Sequence, residues 1–109
     1  MDHQKRPLAP VLARAIEKLG SDVSRARRRR RLTRASLAER SSVSVSTLKR
    51  LEAGDASVAL ENLARVMQVF GELDRLAQLL DSGTDELGIV LMDEQLPKRV
   101  RHRRSSGAL

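Results

Sequence analysis

The sequence predicts an all-α fold with five helices packed as a small bundle. Apolar residues recur at spacings of three and four from residue 8 to residue 80, which is the period of helices with one buried face. Residues that cap or stop helices stand at the ends of these stretches, as expected for separate short helices. One segment, SVSVST at 42–47, alternates like a strand. Helical spacing resumes directly after it and no partner strand lies nearby, so helix is favoured.

The first helix is predicted from about Pro10 to Arg30, with proline in its first turn. Its apolar stripe and one arginine on the same face are Leu8, Leu12, Ile16, Leu19, Val23 and Arg27. Gly20 lies within this stretch and leaves open whether the helix bends or divides there. An arginine on an inward stripe needs a partner, because an unpaired buried charge is costly.

The segment TRASLAERSSVSVSTLKRLEAG, residues 33–54, predicts two short helices joined by a tight turn. Thr33 and Ser44 are suitable N-terminal caps for the two helices. Val43 precedes the second cap and stands five residues before Leu48, which is the spacing of a hydrophobic staple. The glycine that closes the segment supplies the left-handed residue that ends the second helix. This is the pattern of a helix-turn-helix motif.

Two further helices are predicted after the motif. The inward stripe of the fourth helix is expected to be Leu60, Leu63, Ala64, Met67 and Phe70, with Gly71 as its stop. The stripe of the fifth is expected to be Leu73, Leu76, Ala77 and Leu80. Segment 85–95 suits either a short helix or a short strand, and a short helix is favoured.

The second motif helix, which we call the recognition helix, is predicted to turn a small and basic surface outward. Such a surface suits the edges of base pairs in a major groove, whereas Arg34 at the start of the first motif helix suits a phosphate. Arg50 is the candidate for bidentate contact with guanine, and Val45 for a thymine methyl. The predicted DNA-binding residues are Arg34, Ser44, Val45, Ser46, Thr47, Lys49 and Arg50.

The chain resembles the DNA-binding domain of the Cro/cI-like (Xre) family of repressors over about residues 19–71. The resemblance is carried by LTRASLAER at 32–40, VSVSTLKRLEAG at 43–54 and SVALENLARVMQVFG at 57–71. The family usually has glycine where this chain has Ser42, and glutamine where it has Arg34. The resemblance implies an ion pair between Arg27 and Glu52 that fixes the recognition helix, and double-stranded DNA as the partner.

Charge is divided unevenly along this chain of 109 residues, whose net charge is +7. Residues 25–50 carry +9, residues 51–97 carry −8, and residues 98–109 carry +5. A basic half that contains the motif, together with a basic tail, suits a polyanion. The acidic remainder limits indiscriminate binding to nucleic acid.

Composition argues against several other functions. The chain has no cysteine and only two histidines, His3 and His102, in the predicted tails, so no catalytic triad, metal site or cofactor is expected. The serines at 41–46 have no positioned base and suit caps and turns. No apolar run suits a signal peptide or a membrane helix, and a cytoplasmic protein is expected. Duplex RNA binding stays open as a lesser alternative, although one aromatic residue, Phe70, provides little for stacking on bases.

The expected organisation follows from these patterns. We expect an N-terminal arm at 1–9, a DNA-binding domain at 10–82, a dimerisation or partner segment at 83–97 and a basic disordered tail at 98–109. A dimer on a palindromic operator is expected, because a lone half-site rarely supplies enough affinity. The apolar residues proposed for its interface, or for a partner, are Leu87, Ile89, Val90, Leu91 and Met92.

The C-terminal stretch MDEQLPKRVRHRR makes the chain similar to HipB-like antitoxins. That resemblance implies a HipA-like toxin kinase as a further partner and repression of the protein's own operon. A stand-alone phage-type or metabolic regulator is the alternative.

Overall fold

The computed structural model describes residues 6–81 and 92–99 of the chain. Its five helices within residues 6–81 are α1 (Pro10–Arg29), α2 (Arg34–Ser41), α3 (Val45–Glu52), α4 (Leu60–Phe70) and α5 (Leu73–Ala77). The described ranges contain no strand, and the predicted all-α fold is confirmed. The chain divides into two units, Met1–Gln78 and Leu79–Leu109.

Helix α1 runs without a break through Gly20. A Cβ atom at Gly20 would lie 2.5 Å from the carbonyl oxygen of Leu51 and 2.8 Å from that of Glu52. The absence of a side chain therefore lets α1 pass directly over the end of α3. The glycine that raised the question of a bend serves instead as the contact point between two helices.

The two halves of α1 differ in burial. Val23 and Arg27 are buried in the second half, as the predicted stripe requires. In the first half, Leu12 and Leu19 are exposed, although they belong to the same stripe. Only the part of α1 from Gly20 onward contains buried residues, because α3 packs beneath that part.

Helices α2 and α3 begin at the predicted caps. The hydroxyl oxygen of Thr33 accepts a hydrogen bond from the Ser36 amide, and that of Ser44 accepts one from the Thr47 amide, each at 3.0 Å. Between the helices Ser42 adopts a left-handed conformation with φ of 59°. A β-carbon makes this conformation costly, which is why glycine is usual at such turns.

A single apolar cluster holds α1 to α4 together. Its buried members are Val23, Leu37, Val43, Leu48, Leu51 and Val66. Val43 and Leu48 are both in it, in agreement with the predicted staple across the start of α3. Each of the four helices therefore supplies at least one core residue, and the recognition helix is packed from its inner side.

The inward face of α4 differs from the prediction. Val66 is fully buried, whereas Leu60, expected on the inward stripe, is 68% exposed. Leu63 and Phe70 pack against the core as expected, and Val69 joins them. The spacing of residues 63, 66 and 70 is also helical, so the sequence pattern is compatible with either of two inward faces. The packing of α4 on α2 buries the face that contains residue 66.

Helix α5 is shorter than its predicted stripe, because it ends at Ala77 and Leu80 is almost wholly exposed. Within the segment 85–95, the described residues 92–94 are helical. Residues 85–91 of that segment lie outside the described ranges.

Candidate nucleic-acid interface

The recognition helix α3 has one buried and one exposed face. Leu48 and Leu51 are buried, whereas Val45, Lys49 and Arg50 are exposed. The exposed face also includes Ser46, so it carries small and basic side chains on a helix eight residues long. This size and chemistry fit a major groove, which admits an α-helix and displays hydrogen-bonding groups on its base edges.

The start of α3 is fixed by hydroxyl groups. Ser44 accepts from the Thr47 amide, and its own hydroxyl donates to the Thr47 hydroxyl at 2.9 Å. Both side chains were predicted to contact DNA, and both are already engaged in the cap. Ser46, next to them and exposed, has no such role in the cap.

The far end of α3 is fixed by a buried ion pair. The Arg27 guanidinium donates from Nε and Nη2 to the two carboxylate oxygens of Glu52, at 2.7 and 3.0 Å. Only 3% of the Glu52 side chain is exposed. Arg27 also donates from Nη1 to the Leu32 carbonyl at 2.9 Å. This is the pair implied by the family resemblance, and it joins α1 to the last residue of α3.

Arg34 shares the same carboxylate. Its Nε donates to Glu52 Oε1 at 3.1 Å, while 43% of its side chain remains exposed. Sequence reasoning assigned Arg34 to a phosphate and missed this ion pair. Two arginines on one carboxylate leave a net positive charge at the start of α2, where helix amides also favour an anion.

Titration of Glu52 reflects these neighbours. Burial alone would raise the pKa of its carboxyl group, but the hydrogen bonds and charges of Arg27 and Arg34 outweigh burial and lower the pKa below its ordinary value. The hydrogen bond to Glu52 correspondingly raises the pKa of Arg27. Glu52 is therefore ionised wherever the protein meets DNA near neutral pH.

Arg50, the candidate for contact with guanine, lies in the last turn of α3. Its Nε donates to Asp55 Oδ2 and its Nη2 to the Ser57 hydroxyl, each at 2.8 Å. Sequence reasoning did not single out Asp55 or Ser57. The available signal was the short DAS segment directly after the helix stop, since aspartate commonly bonds the backbone two residues on.

The residues predicted for dimerisation fall mostly outside the described ranges. Leu87, Ile89, Val90 and Leu91 are not described, and Met92 is 65% exposed. Of the predicted basic tail, only residues 98 and 99 are described. Among the helices that the structure describes, none is long and apolar enough to cross a membrane.

Comparison with known proteins agrees with this geometry. Residues 23–76 match the helix-turn-helix family of the Xre/Cro-like type, which confirms the resemblance drawn from the motifs. No curated protein and no solved structure matches the chain. The match spans α2, the turn, α3 and α4. On this match, residues 23–76 form a helix-turn-helix domain of the Xre/Cro-like type, which is a type found in DNA-binding transcription regulators.

Proposed function

We propose that this protein is a sequence-specific transcriptional repressor that binds an inverted-repeat operator as a homodimer. The observation that carries the proposal is the division of α3 into a core face and an exposed face of small and basic side chains. In this proposal α3 enters the major groove, as recognition helices of helix-turn-helix proteins do.

The contacts are divided between bases and phosphates. Arg50 donates to guanine O6 and N7, and Val45 contacts a thymine methyl. Ser46, Thr47 and Lys49 contact bases or the adjacent backbone. Arg34 contacts a phosphate together with the amides at the start of α2, and this contact sets the register of the domain on the duplex.

Binding as a dimer raises the affinity for the operator above that of a single half-site. Two recognition helices about 34 Å apart would reach successive major grooves on one face of the duplex. We assign the dimer contact to the apolar segment that contains Ile89 and Leu91. Occupation of an operator that overlaps a promoter would exclude RNA polymerase, and this exclusion is the proposed mechanism of repression.

We also propose that the protein is the antitoxin of a toxin–antitoxin operon, with a HipA-like kinase as its partner. The acidic region 51–97, with a charge of −8, supports a separate surface for a second protein. The test is a pulldown with the product of the neighbouring gene. Recovery of a kinase supports the antitoxin role, whereas an empty pulldown favours a stand-alone regulator.

Selection of bound sites from a random duplex library tests the central proposal. We expect enriched sequences with two-fold symmetry and half-sites about one helical turn apart. Enrichment of a single unpaired half-site would contradict the dimer. No enrichment at all would contradict sequence-specific binding.

The variant Arg50→Ala tests the leading base contact. We expect it to weaken binding to the selected operator and to reduce discrimination at one base pair by about 1–3 kcal/mol. Affinities for the operator and for each single-base variant, measured at one salt concentration, give this value.

Arg65→Ala is the matched control for that measurement. Arg65 is 44% exposed and pairs with Glu61, while Arg50 is 46% exposed and pairs with Asp55. Both changes remove one exposed, carboxylate-paired arginine, but Arg65 lies on α4. An equal loss on every sequence for Arg50→Ala would assign Arg50 to a phosphate instead.

A further inference from the structure

The loop that follows the recognition helix is tied back onto its last turn. The Gly54 amide donates to the Leu51 carbonyl at 3.1 Å, and the Asp55 amide donates to the Arg50 carbonyl at 3.0 Å. Gly54 has φ of 82°. This pair of bonds with a left-handed glycine is a Schellman motif, and it sets Asp55 beside Arg50 through the backbone alone.

The side chains repeat this connection. Asp55 Oδ2 accepts from Arg50 Nε at 2.8 Å, and Asp55 Oδ1 accepts from the amide and hydroxyl of Ser57 at 2.8 and 2.6 Å. The Ser57 hydroxyl in turn accepts from Arg50 Nη2 at 2.8 Å. The hydrogen bonds from Ser57 and Arg50 hold the pKa of the Asp55 carboxyl well below its usual range. Arg50, Asp55 and Ser57 therefore form a closed triangle of hydrogen bonds on the protein surface.

The triangle leaves part of the Arg50 guanidinium available. An arginine has five N–H donors, and two of those of Arg50 are used, one on Nε and one on Nη2. The three that remain are the second hydrogen of Nη2 and both hydrogens of Nη1. Nη1 and Nη2 together form the end of the guanidinium that can donate two parallel bonds to a base edge.

We propose that Asp55 is a specificity-determining residue that orients the free end of Arg50 toward a base pair. The inference rests on the proposed function, because it requires α3 to contact bases. Arginine has large rotamer freedom, and ordering it before association reduces the entropy lost on binding. Asp55 also neutralises the charge of Arg50 locally. The orientation of the guanidinium is therefore set by its hydrogen bonds to Asp55 and Ser57 rather than by attraction to a nearby phosphate.

A competing role for Asp55 is to hold Arg50 away from DNA. The two roles predict opposite changes in Asp55→Asn. If Asp55 orients Arg50, the variant loses discrimination at the base pair that Arg50 reads. If Asp55 sequesters Arg50, the variant gains affinity for its operator and keeps or sharpens that discrimination.

The experiment measures the affinity of the full chain for the selected operator and for each single-base variant of it. We expect Asp55→Asn to reduce discrimination at one base pair roughly two- to tenfold, which is the lower part of the coupling range for residues in contact. Ser57→Ala should reduce it at the same base pair by a smaller factor, because it removes one side of the triangle. In the Arg50→Ala background, Asp55→Asn should cause no further loss at that position.

Glu61→Gln is the matched control, because Glu61 pairs with Arg65 on α4 as Asp55 pairs with Arg50. Both variants remove one negative charge, and both should slightly raise the affinity for unrelated DNA. Only Asp55→Asn should alter the ratio between operator and variant sites. Thermal unfolding of each variant checks that the fold is retained.

Two results would overturn the inference while leaving the repressor proposal intact. One is an Asp55→Asn variant with unchanged or sharper discrimination, and the other is an Asp55→Asn effect that persists undiminished in the Arg50→Ala background. A wild-type chain with no sequence preference would overturn the proposed function itself, and the inference with it. The three results are distinguishable because only the last involves the unmodified protein.

Discussion

The two ends of the recognition helix α3 are held by different kinds of contact. At the N-terminal end, Ser44 and Thr47 form a cap next to the buried Val43, so the hydrogen bonds that define this end come from within a few residues. At the C-terminal end, Glu52 is held by Arg27 from α1 and by Arg34 from α2. The local end determines where the helix begins, and the distant contacts determine how it is oriented in the domain.

The largest effect is expected when the C-terminal end is released. Glu52→Ala would leave Arg27 buried without a carboxylate partner. The second arginine of the cluster, Arg34, would lose the same partner. Removal of one partner of a buried pair typically costs about 3–5 kcal/mol, and we expect the free energy of unfolding to fall by about 3 kcal/mol or more. Urea denaturation, monitored by circular dichroism, measures the change in the free energy of unfolding.

Glu61→Ala provides the control for this prediction, because Glu61 pairs with Arg65 in solvent. Exposed ion pairs contribute little to stability, so its loss should be far smaller. Equal losses from the two variants would mean that the ion pair does not anchor the end of α3.

A smaller loss is expected when α1 is pushed away from the same end. Gly20→Ala places a Cβ atom 2.5 Å from the Leu51 carbonyl oxygen and 2.8 Å from the Gly54 amide nitrogen. Both are backbone atoms, so the helices themselves must separate. We expect a loss of about 1–3 kcal/mol, typical of an overpacked contact, although alanine favours a helix by about 1 kcal/mol over glycine.

The neighbouring exposed position supplies the comparison for Gly20→Ala. Ser21→Ala changes the helix propensity of α1 without a close contact and should be neutral or slightly stabilising. Thermal unfolding of the two variants compares their stabilities. A Gly20→Ala protein as stable as Ser21→Ala would show that α1 and α3 do not depend on this close approach.

The smallest effect is expected at the N-terminal end, and it has the opposite sign. Ser42→Gly removes the strain of a left-handed serine with φ of 59°. We expect the free energy of unfolding to rise by about 0.5–1 kcal/mol, because the relief of strain exceeds the added entropy of the unfolded chain. Thermal unfolding measures the gain.

Ser21→Gly, at an exposed position of α1, is the control for this gain. Glycine there should destabilise the helix by about 0.5 kcal/mol. If Ser42→Gly behaved in the same way as Ser21→Gly, the turn would carry no strain, and the local description of this end would be wrong.

The features that sequence predicts well are those that depend on near neighbours. Thr33 and Ser44 cap helices because the amides they bond lie three residues away. Gly54 ends α3 because a left-handed residue is needed at that position. These choices are made within a single turn of chain, and the helix-turn-helix was predictable for that reason.

The features that sequence predicts poorly depend on which surfaces meet. Val66 and Leu60 both belong to helical patterns, and only the packing of α4 buries the first and exposes the second. The bond between Arg34 and Glu52 joins residues 18 positions apart. Arg27 and Glu52 were paired through the family resemblance, since the residues alone showed only that Arg27 needed a partner.

The continuity of α1 through Gly20 has a mechanical consequence. A helix of 20 residues is a stiff rod about 30 Å long, and its outer half carries Val11 and Leu12 in solvent. The rod touches the carbonyl ends of α3 near its middle, at Gly20. The outer half of α1 thus projects from that contact as a cantilever, whose exposed Val11 and Leu12 side chains add nothing to the core.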